Sequence, residues 1–152
     1  MKKYDTFKMT IPNDVSYLPV VQLCVREISK KFGFDDSDIF EIELGLEETF
    51  MNVIEHGFEK GEENTFDIIC QRTPKGIKII VKDQGMPFDP DRVPQYTPAT
   101  DLEGASASGL GTHLIRKAFD EVSFHNLGSK GKETHLVKYR KSANIAGYFA
   151  DS

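Results

Sequence analysis

The run from Ile39 to His56 constrains the fold most, because it is long and apolar on one side only. Ile42, Phe50 and Val53 recur at the spacing of a helix face, and Gly57 follows as a C-terminal stop. The run therefore predicts an amphipathic helix that must bury one face against another layer of structure. Its opposite face carries polar side chains and is the first candidate for chemistry.

Strands predicted before and after this helix in the sequence supply the other layer. Alternating side chains and turn residues predict strands at 4–11, 65–73, 77–83, 122–126 and 133–139, and further helices at 16–32 and 112–119. Strands with helices packed on one face give a two-layer α/β sandwich. The 152 residues suit one such domain, which we expect to span residues 4–141, with 142–152 as a C-terminal tail.

Composition narrows the classes of function. Nineteen basic and twenty-four acidic residues give a net charge of -5, which does not favour a nucleic-acid partner. No apolar run is long enough to cross a bilayer and no signal region is present, so we expect a cytoplasmic protein without membrane contact. Cys24 and Cys70 are too few for a disulfide framework or a zinc site, and we expect both to be buried, reduced thiols.

The stretch from Gln84 to Ser108 breaks the regular pattern. It is rich in proline and ends in a series of small residues. Irregular stretches of this length are uncommon in compact domains and are usually functional. We therefore expect a lid beside a binding site.

Glu48, Asn52 and His56 lie four residues apart on the predicted helix, so they form one stripe. An amide oxygen can hold Mg²⁺, which keeps several of its waters, and a nearby carboxylate can accept a proton from an attacking hydroxyl. A solvated helix face rich in glutamate has the same pattern. The helix alone does not decide between these two interpretations.

Three further motifs are weak when taken singly. Asp83 and Gly85 end a strand, where a carboxylate can bind an adenine amino group and a glycine admits the base, but a plain turn has the same sequence. Gly109 and Gly111 precede a predicted helix, whose free N–H groups can bind phosphate. Thr134 enters the last strand, where its hydroxyl either assists at a base pocket or is an ordinary strand side chain.

The order of the motifs is more specific than any one of them. They are, along the chain, Glu48-x-x-x-Asn52-x-x-x-His56-Gly57, Asp83-x-Gly85, Gly109-Leu110-Gly111 and Gly131-x-x-Thr134. A chain with this order resembles the GHKL ATPase superfamily, which includes gyrase, a heat-shock chaperone, histidine kinases and mismatch-repair ATPases. Its closest likeness is to the bacterial anti-sigma-factor serine/threonine kinases, and it covers residues 4–141.

The resemblance implies the Bergerat ATP-binding fold, in which a mixed, mostly antiparallel sheet carries its helices on one face. It also implies ATP and Mg²⁺ as cofactors. Glu48 corresponds to the general base of the family and Asn52 to its ligand for Mg²⁺, with His56 beside them at the nucleotide site. The histidine kinases lack this glutamate, so Glu48 favours the anti-sigma branch or the hydrolytic ones.

The remaining motifs correspond to the two ends of the nucleotide. Asp83, Gly85 and Thr134 correspond to the adenine pocket. The loop implied to hold the phosphates consists of Gly109, Leu110, Gly111 and Thr112. Thr112 departs from the Leu or Met that is more usual in the family.

The function implied is a protein kinase that phosphorylates a serine of a small antagonist protein and sequesters a sigma factor, with a possible homodimer through the sheet side. An ATP- or ADP-sensing binding module is the first alternative. The catalytic half of a histidine kinase is disfavoured because no dimerisation helix precedes the domain. A motor fragment is disfavoured because 152 residues leave no room for a transducer domain.

Other charged and titratable residues receive no role from the motifs. A γ-phosphate needs a cation, for which the candidates are Arg116, Lys130 and Lys132, but we expect each of them to be a solvated surface charge. The remaining histidines lack metal-ligand spacing and are expected at the surface or in strands. They are His113, His125 and His135.

Overall fold

The computed structural model describes residues 5–59, 61–84 and 107–141, with the backbone alone for 107–111. The α-helices are α1 Leu18–Lys31, α2 Asp36–His56 and α3 Ala107–Ala118. The strands are β1 Thr6–Pro12, β2 Thr65–Thr73, β3 Gly76–Asp83, β4 Glu121–Asn126 and β5 Lys132–Tyr139. Short 3₁₀ turns, Val15–Tyr17 and Gly128–Lys130, precede α1 and β5.

The described strands form one sheet in the order β1-β2-β3-β5-β4, and each neighbouring pair is antiparallel. The described strands are antiparallel throughout, in keeping with the mostly antiparallel sheet that the resemblance implies. The order places β5 between β3 and β4. As a result Asp83, the last residue of β3, lies opposite Lys132, the first residue of β5.

One face of the sheet shares a core with the helices. Along β3 the side chains of Ile77, Ile79 and Val81 are buried and alternate with half-buried ones. The apolar stripe of α2, predicted from its spacing, is buried as well, with Ile42 and Phe50 fully inaccessible. The two-layer α/β sandwich with helices on one face is therefore confirmed.

The junction of α2 with the end of α3 depends on Gly45. A Cβ at this position would lie 2.4 Å from Cε2 of Phe119 and 2.9 Å from the Cβ of Ala118. Lys138 reaches the same junction from β5, where its buried ammonium donates to the carbonyl oxygen of Ala118 at 2.8 Å and pairs with Glu41. Both contacts fix the position of α2 over the sheet.

The sequence pattern placed the strands and the first two helices to within a few residues, but it began the third helix too late. The helix α3 begins at Ala107 rather than at Thr112, so Gly109 and Gly111 lie within its first turns. Alanine favours helix strongly and each glycine costs only about 1 kcal/mol, so this segment can be helical despite its loop-like composition. Most of the predicted lid, residues 85–106, lies outside the described residues.

The two cysteines differ in environment. Both thiols are free, Cys70 is buried and Cys24 is half-buried. Burial, assisted by the nearby Cys24, raises the pKa of Cys70 to about 12 and makes it a poor nucleophile. The expectation that both cysteines are buried is wrong for Cys24, whose position on α1 leaves it partly open to solvent.

Replacing Gly45 with alanine tests the α2–α3 junction. In an exposed helix the change would stabilise by about 1 kcal/mol, because alanine is the better helix former. Here the added methyl overlaps the Phe119 ring, and we expect a loss of about 1–3 kcal/mol in the free energy of unfolding. Urea unfolding followed by circular dichroism measures it. Phe40→Ala, on the same helix but 66% exposed, serves as the control.

Candidate functional site

A small cavity lies where α2, α3 and the helix-side face of the sheet meet. Its volume is about 20 Å³, and its lining consists of Thr49, Asn52, Val53, Asp83, Ile115, Phe124, Lys132 and Thr134. The cavity brings together three residues that the motifs singled out, namely Asn52, Asp83 and Thr134. These residues are distant in the chain, and their shared cavity makes this the candidate site.

Asp83 places a carboxylate at the edge of an apolar layer. Its side chain is only 2% exposed, and a buried charge is tolerated only with partners. Gly131 makes the position possible, because a Cβ there would lie 2.2 Å from the carbonyl oxygen of Asp83. Gly131 also has a φ of +92°, which disfavours other residues. The glycine therefore lets β5 start directly against the end of β3.

Lys132 is a partner of Asp83 that the sequence pattern did not reveal. Its Nζ lies 3.9 Å from Oδ1 of Asp83, and its side chain is 9% exposed. Burial lowers the pKa of the Lys132 ammonium, while the charge of Asp83 opposes that shift. The expectation of a solvated surface charge is wrong for Lys132. The signal was present in the sequence, since Lys132 alternates in step with the buried Leu136 along β5.

Thr134 and Asn52 face the cavity from the sheet and from α2. Thr134 is paired with Val81 of β3 and with Phe124 of β4, which puts its side chain on the helix side of the sheet. Asn52 is half-buried and lies on the helix stripe that faces Asp83 across the cavity. A hydroxyl, an amide and a carboxylate thus converge on one small space, as a polar ligand requires.

Glu48 lies one turn before Asn52 on α2 and is half-buried, outside the residues that line the cavity. Partial burial raises the pKa of its carboxyl, and the nearby Glu47 and Glu55 raise it further. A carboxylate with a raised pKa accepts protons more readily. The Glu48 carboxyl therefore accepts a proton more readily than a solvated one, and it lies one turn of α2 from the cavity-lining Asn52.

Of the remaining predicted site residues, those with described side chains, His56 and Thr112, are not among the residues that line the cavity. His56 is half-buried at the end of α2, with its Nε2 3.8 Å from Glu55, and it is not among the lining residues. Thr112 is buried within α3. The side chains of Gly109, Leu110 and Gly111 and the whole of Gly85 lie outside the described residues. Their roles stay predictions.

The other two cations named as candidates for the γ-phosphate, Arg116 and Lys130, are exposed as expected. The guanidinium carbon of Arg116 lies 5.5 Å from the centre of the Phe124 ring, a cation–π distance. Since Phe124 lines the cavity, this contact places Arg116 at the outside of the same wall.

Two histidines lie on the sheet face away from the helices. The rings of His125 and His135 are 4.3 Å apart between centroids, and Nε2 of His135 is 2.8 Å from the carboxylate of Glu133. Within the described ranges no group of three or more His, Cys, Asp or Glu side chains could hold a metal ion. No helix in these ranges is both long and apolar enough to cross a membrane.

Comparison with known proteins assigns the family. A family model described as the histidine kinase-like ATPase domain matches residues 11–138. The chain belongs to this family. A serine-protein kinase RsbW of Bacillus velezensis is 29% identical over 149 residues, which are 93% of this chain and 89% of that protein. The protein of the same name in Halalkalibacterium halodurans is 30% identical over 122 residues, 78% of this chain and 74% of the relative.

A solved structure shows the same fold. It contains the RsbU and RsbW domains of a Mycobacterium tuberculosis protein, with a TM-score of 0.61 and 16% identity. The similarity covers 88% of this chain but only 32% of that longer chain. At 16% identity this likeness shows the fold alone. The activity of this chain has to be argued from its own residues.

Replacing Glu48 with glutamine tests its electrostatic environment. A carboxyl whose folded-state pKa is raised favours folding fully only below its unfolded pKa, and that contribution is lost as the pH rises through the raised value. At pH 7 glutamine removes the cost of the partly buried charge, so we expect the melting temperature to rise by about 1–2 °C. The difference disappears below the ordinary pKa of 4.5. Thermal melts across pH measure it, and Glu27→Gln, on the exposed side of α1, is the control.

Proposed function

We propose that the protein is an ATP- and Mg²⁺-dependent protein kinase that transfers phosphate to a serine of a partner protein. The observation that carries this proposal is the buried Asp83 carboxylate facing Asn52 across one cavity. A carboxylate held at a strand end provides an acceptor for a base amino group. The Asn52 amide on the opposite wall provides an oxygen that would face the phosphates.

Asp83 would accept a hydrogen bond from the amino group of adenine. The site fits this role because the carboxylate is buried in a wall that also contains the Thr134 hydroxyl. Burial strengthens such a bond, since the surrounding apolar layer screens it little. Gly85 would lie beneath the base, and residues 109–112 would surround the phosphates.

Asn52 would be the protein ligand of Mg²⁺, and His56 would lie near the nucleotide on the same stripe. A carboxamide oxygen is a suitable ligand, because Mg²⁺ takes few protein oxygens and fills its shell with water and phosphate oxygens. Held by Asn52, the ion would supply positive charge that offsets the negative charge of the phosphates.

Glu48 would orient the serine hydroxyl and accept its proton as phosphate is transferred. Its raised pKa supports this role, because a base of higher pKa accepts a proton more favourably. Its position one turn from Asn52 supports this role as well, since the base would then lie next to the proposed metal ligand.

The partners proposed are a sigma factor, which the protein would sequester, and a small antagonist protein, which it would phosphorylate. The relatives named serine-protein kinase RsbW support this choice. Both partners would place the protein in the cytoplasm. A homodimer through the sheet face away from the helices is also proposed, since that face carries the half-buried Ile69, Ile80 and Val137.

The kinase proposal is tested with Glu48→Gln. We expect serine phosphorylation of a protein that co-purifies from the native cells to fall about 100-fold or more, the usual effect of losing a general base. ATP affinity, measured by calorimetry, should stay within about threefold, since the base acts in the transfer step. Glu27→Gln on α1 is the matched control. Tight ATP binding by the wild type without any phosphoserine would favour the nucleotide-sensing module instead.

Base recognition is tested with Asp83→Asn and two matched nucleotides, ATP and inosine triphosphate, which carries a keto oxygen where adenine carries its amino group. ATP affinity should fall about 10- to 100-fold, as expected for a lost hydrogen bond to a charged acceptor. The affinity for inosine triphosphate should fall less, because the new amide of Asp83→Asn can donate a hydrogen bond to the keto oxygen. Equal losses for both nucleotides would contradict the assignment of Asp83 to the base.

A further inference from the structure

Asp83 and Lys132 occupy one position in the register of β3 and β5, and both side chains point to the helix side of the sheet. Nζ of Lys132 lies 3.9 Å from Oδ1 of Asp83, with the side chains 9% and 2% exposed. The ammonium therefore lies beside the carboxylate that, in the proposed function, receives the base. The ammonium thus stands where the amino group of the base would have to bind.

The cavity is also too small for a nucleotide base. A volume of about 20 Å³ is room for about one water molecule, whereas small-molecule sites are roughly 300–1,000 Å³. A purine ring cannot enter until a lining side chain leaves. Lysine has a long, unbranched stem that can swing toward water, whereas the lining residues Val53 and Ile115 are held in the core.

We propose that Lys132 takes the place of the base in the nucleotide-free protein and must withdraw from Asp83 before the base can bind. This inference rests on the proposed function, because it assumes that Asp83 receives a base amino group. Lys132 is thereby a residue that sets nucleotide affinity. It satisfies the buried carboxylate while the pocket is empty, and it yields only to a ligand whose N–H group can replace the ammonium.

The exchange follows from the preference of a buried charge for a counter-charge or a hydrogen-bond donor beside it. Without Lys132, the Asp83 carboxylate of the empty site would lack this counter-charge. When the base amino group replaces the ammonium, the carboxylate keeps a donor and the ammonium regains water. Burial lowers the pKa of Lys132, which agrees with an ammonium that is better hydrated outside the pocket.

The test compares ATP affinity of the wild type and of Lys132→Ala by calorimetry at pH 8. Removing the competing side chain should lower the dissociation constant about fivefold, because the base no longer has to displace a buried ammonium whose own cost of burial offsets most of its attraction to Asp83. Lys8→Ala is the matched control. It removes a Lys–Asp pair of similar length, 3.6 Å, on the other face of the sheet, and should leave the affinity unchanged.

The outcomes separate the two proposals. Unchanged or weaker binding by Lys132→Ala would mean that the lysine does not compete with the base, although the wild type binds ATP. Failure of the wild type itself to bind ATP would overturn the proposed function and the role of Lys132 with it.

A measurement on the wild type does not depend on how well the variant folds. Acetylation of lysines by a soluble reagent, quantified by mass spectrometry, should modify Lys132 slowly without nucleotide. Saturating ATP should increase its modification about fivefold, because the withdrawn ammonium reaches water. Lys8, with a side chain 59% exposed, is the internal reference. Continued protection of Lys132 in the presence of ATP would contradict the proposal.

Discussion

The burial of the Asp83 carboxylate is the constraint on which the candidate site depends. A side chain that is 2% exposed cannot keep a charge in an apolar layer without partners, so the fold has to bring them to the end of β3. The order of the strands does this by placing β5 next to β3 with Lys132 opposite Asp83. Gly131 permits the approach, because any side chain there would overlap the backbone of Asp83.

The helix α2 connects this constraint to the chemistry. Its apolar stripe is buried against the sheet, and its contact with the end of α3 at Gly45 fixes its height over the strands. Asn52 and Glu48 therefore stand at set positions beside the cavity. One helix supplies core, metal ligand and base in the proposed mechanism, and so a change in its packing would also move the site.

Much of this could be predicted from the sequence, because periodicity and motif order are local properties. Spacing alone gave the amphipathic α2 and the strands, and the order of motifs gave the family and the group of Asn52, Asp83 and Thr134. The start of α3 was wrong, because glycine and serine composition suggests a loop even where a helix is tolerated. Lys132 was missed because its charge suggested a surface position, although it alternates in step with the buried Leu136 along β5.

Nuclear magnetic resonance of the amide-labelled protein during titration with Mg²⁺ and ATP tests the location of the site most directly. We expect the largest changes in amide chemical shift at Asn52, Asp83, Lys132 and Thr134, which share one cavity. Residues of the opposite sheet face, such as Lys8 and Asp67, should change little. Saturable changes confined to that opposite face, or none at millimolar ATP, would contradict the assignment of this cavity to the nucleotide.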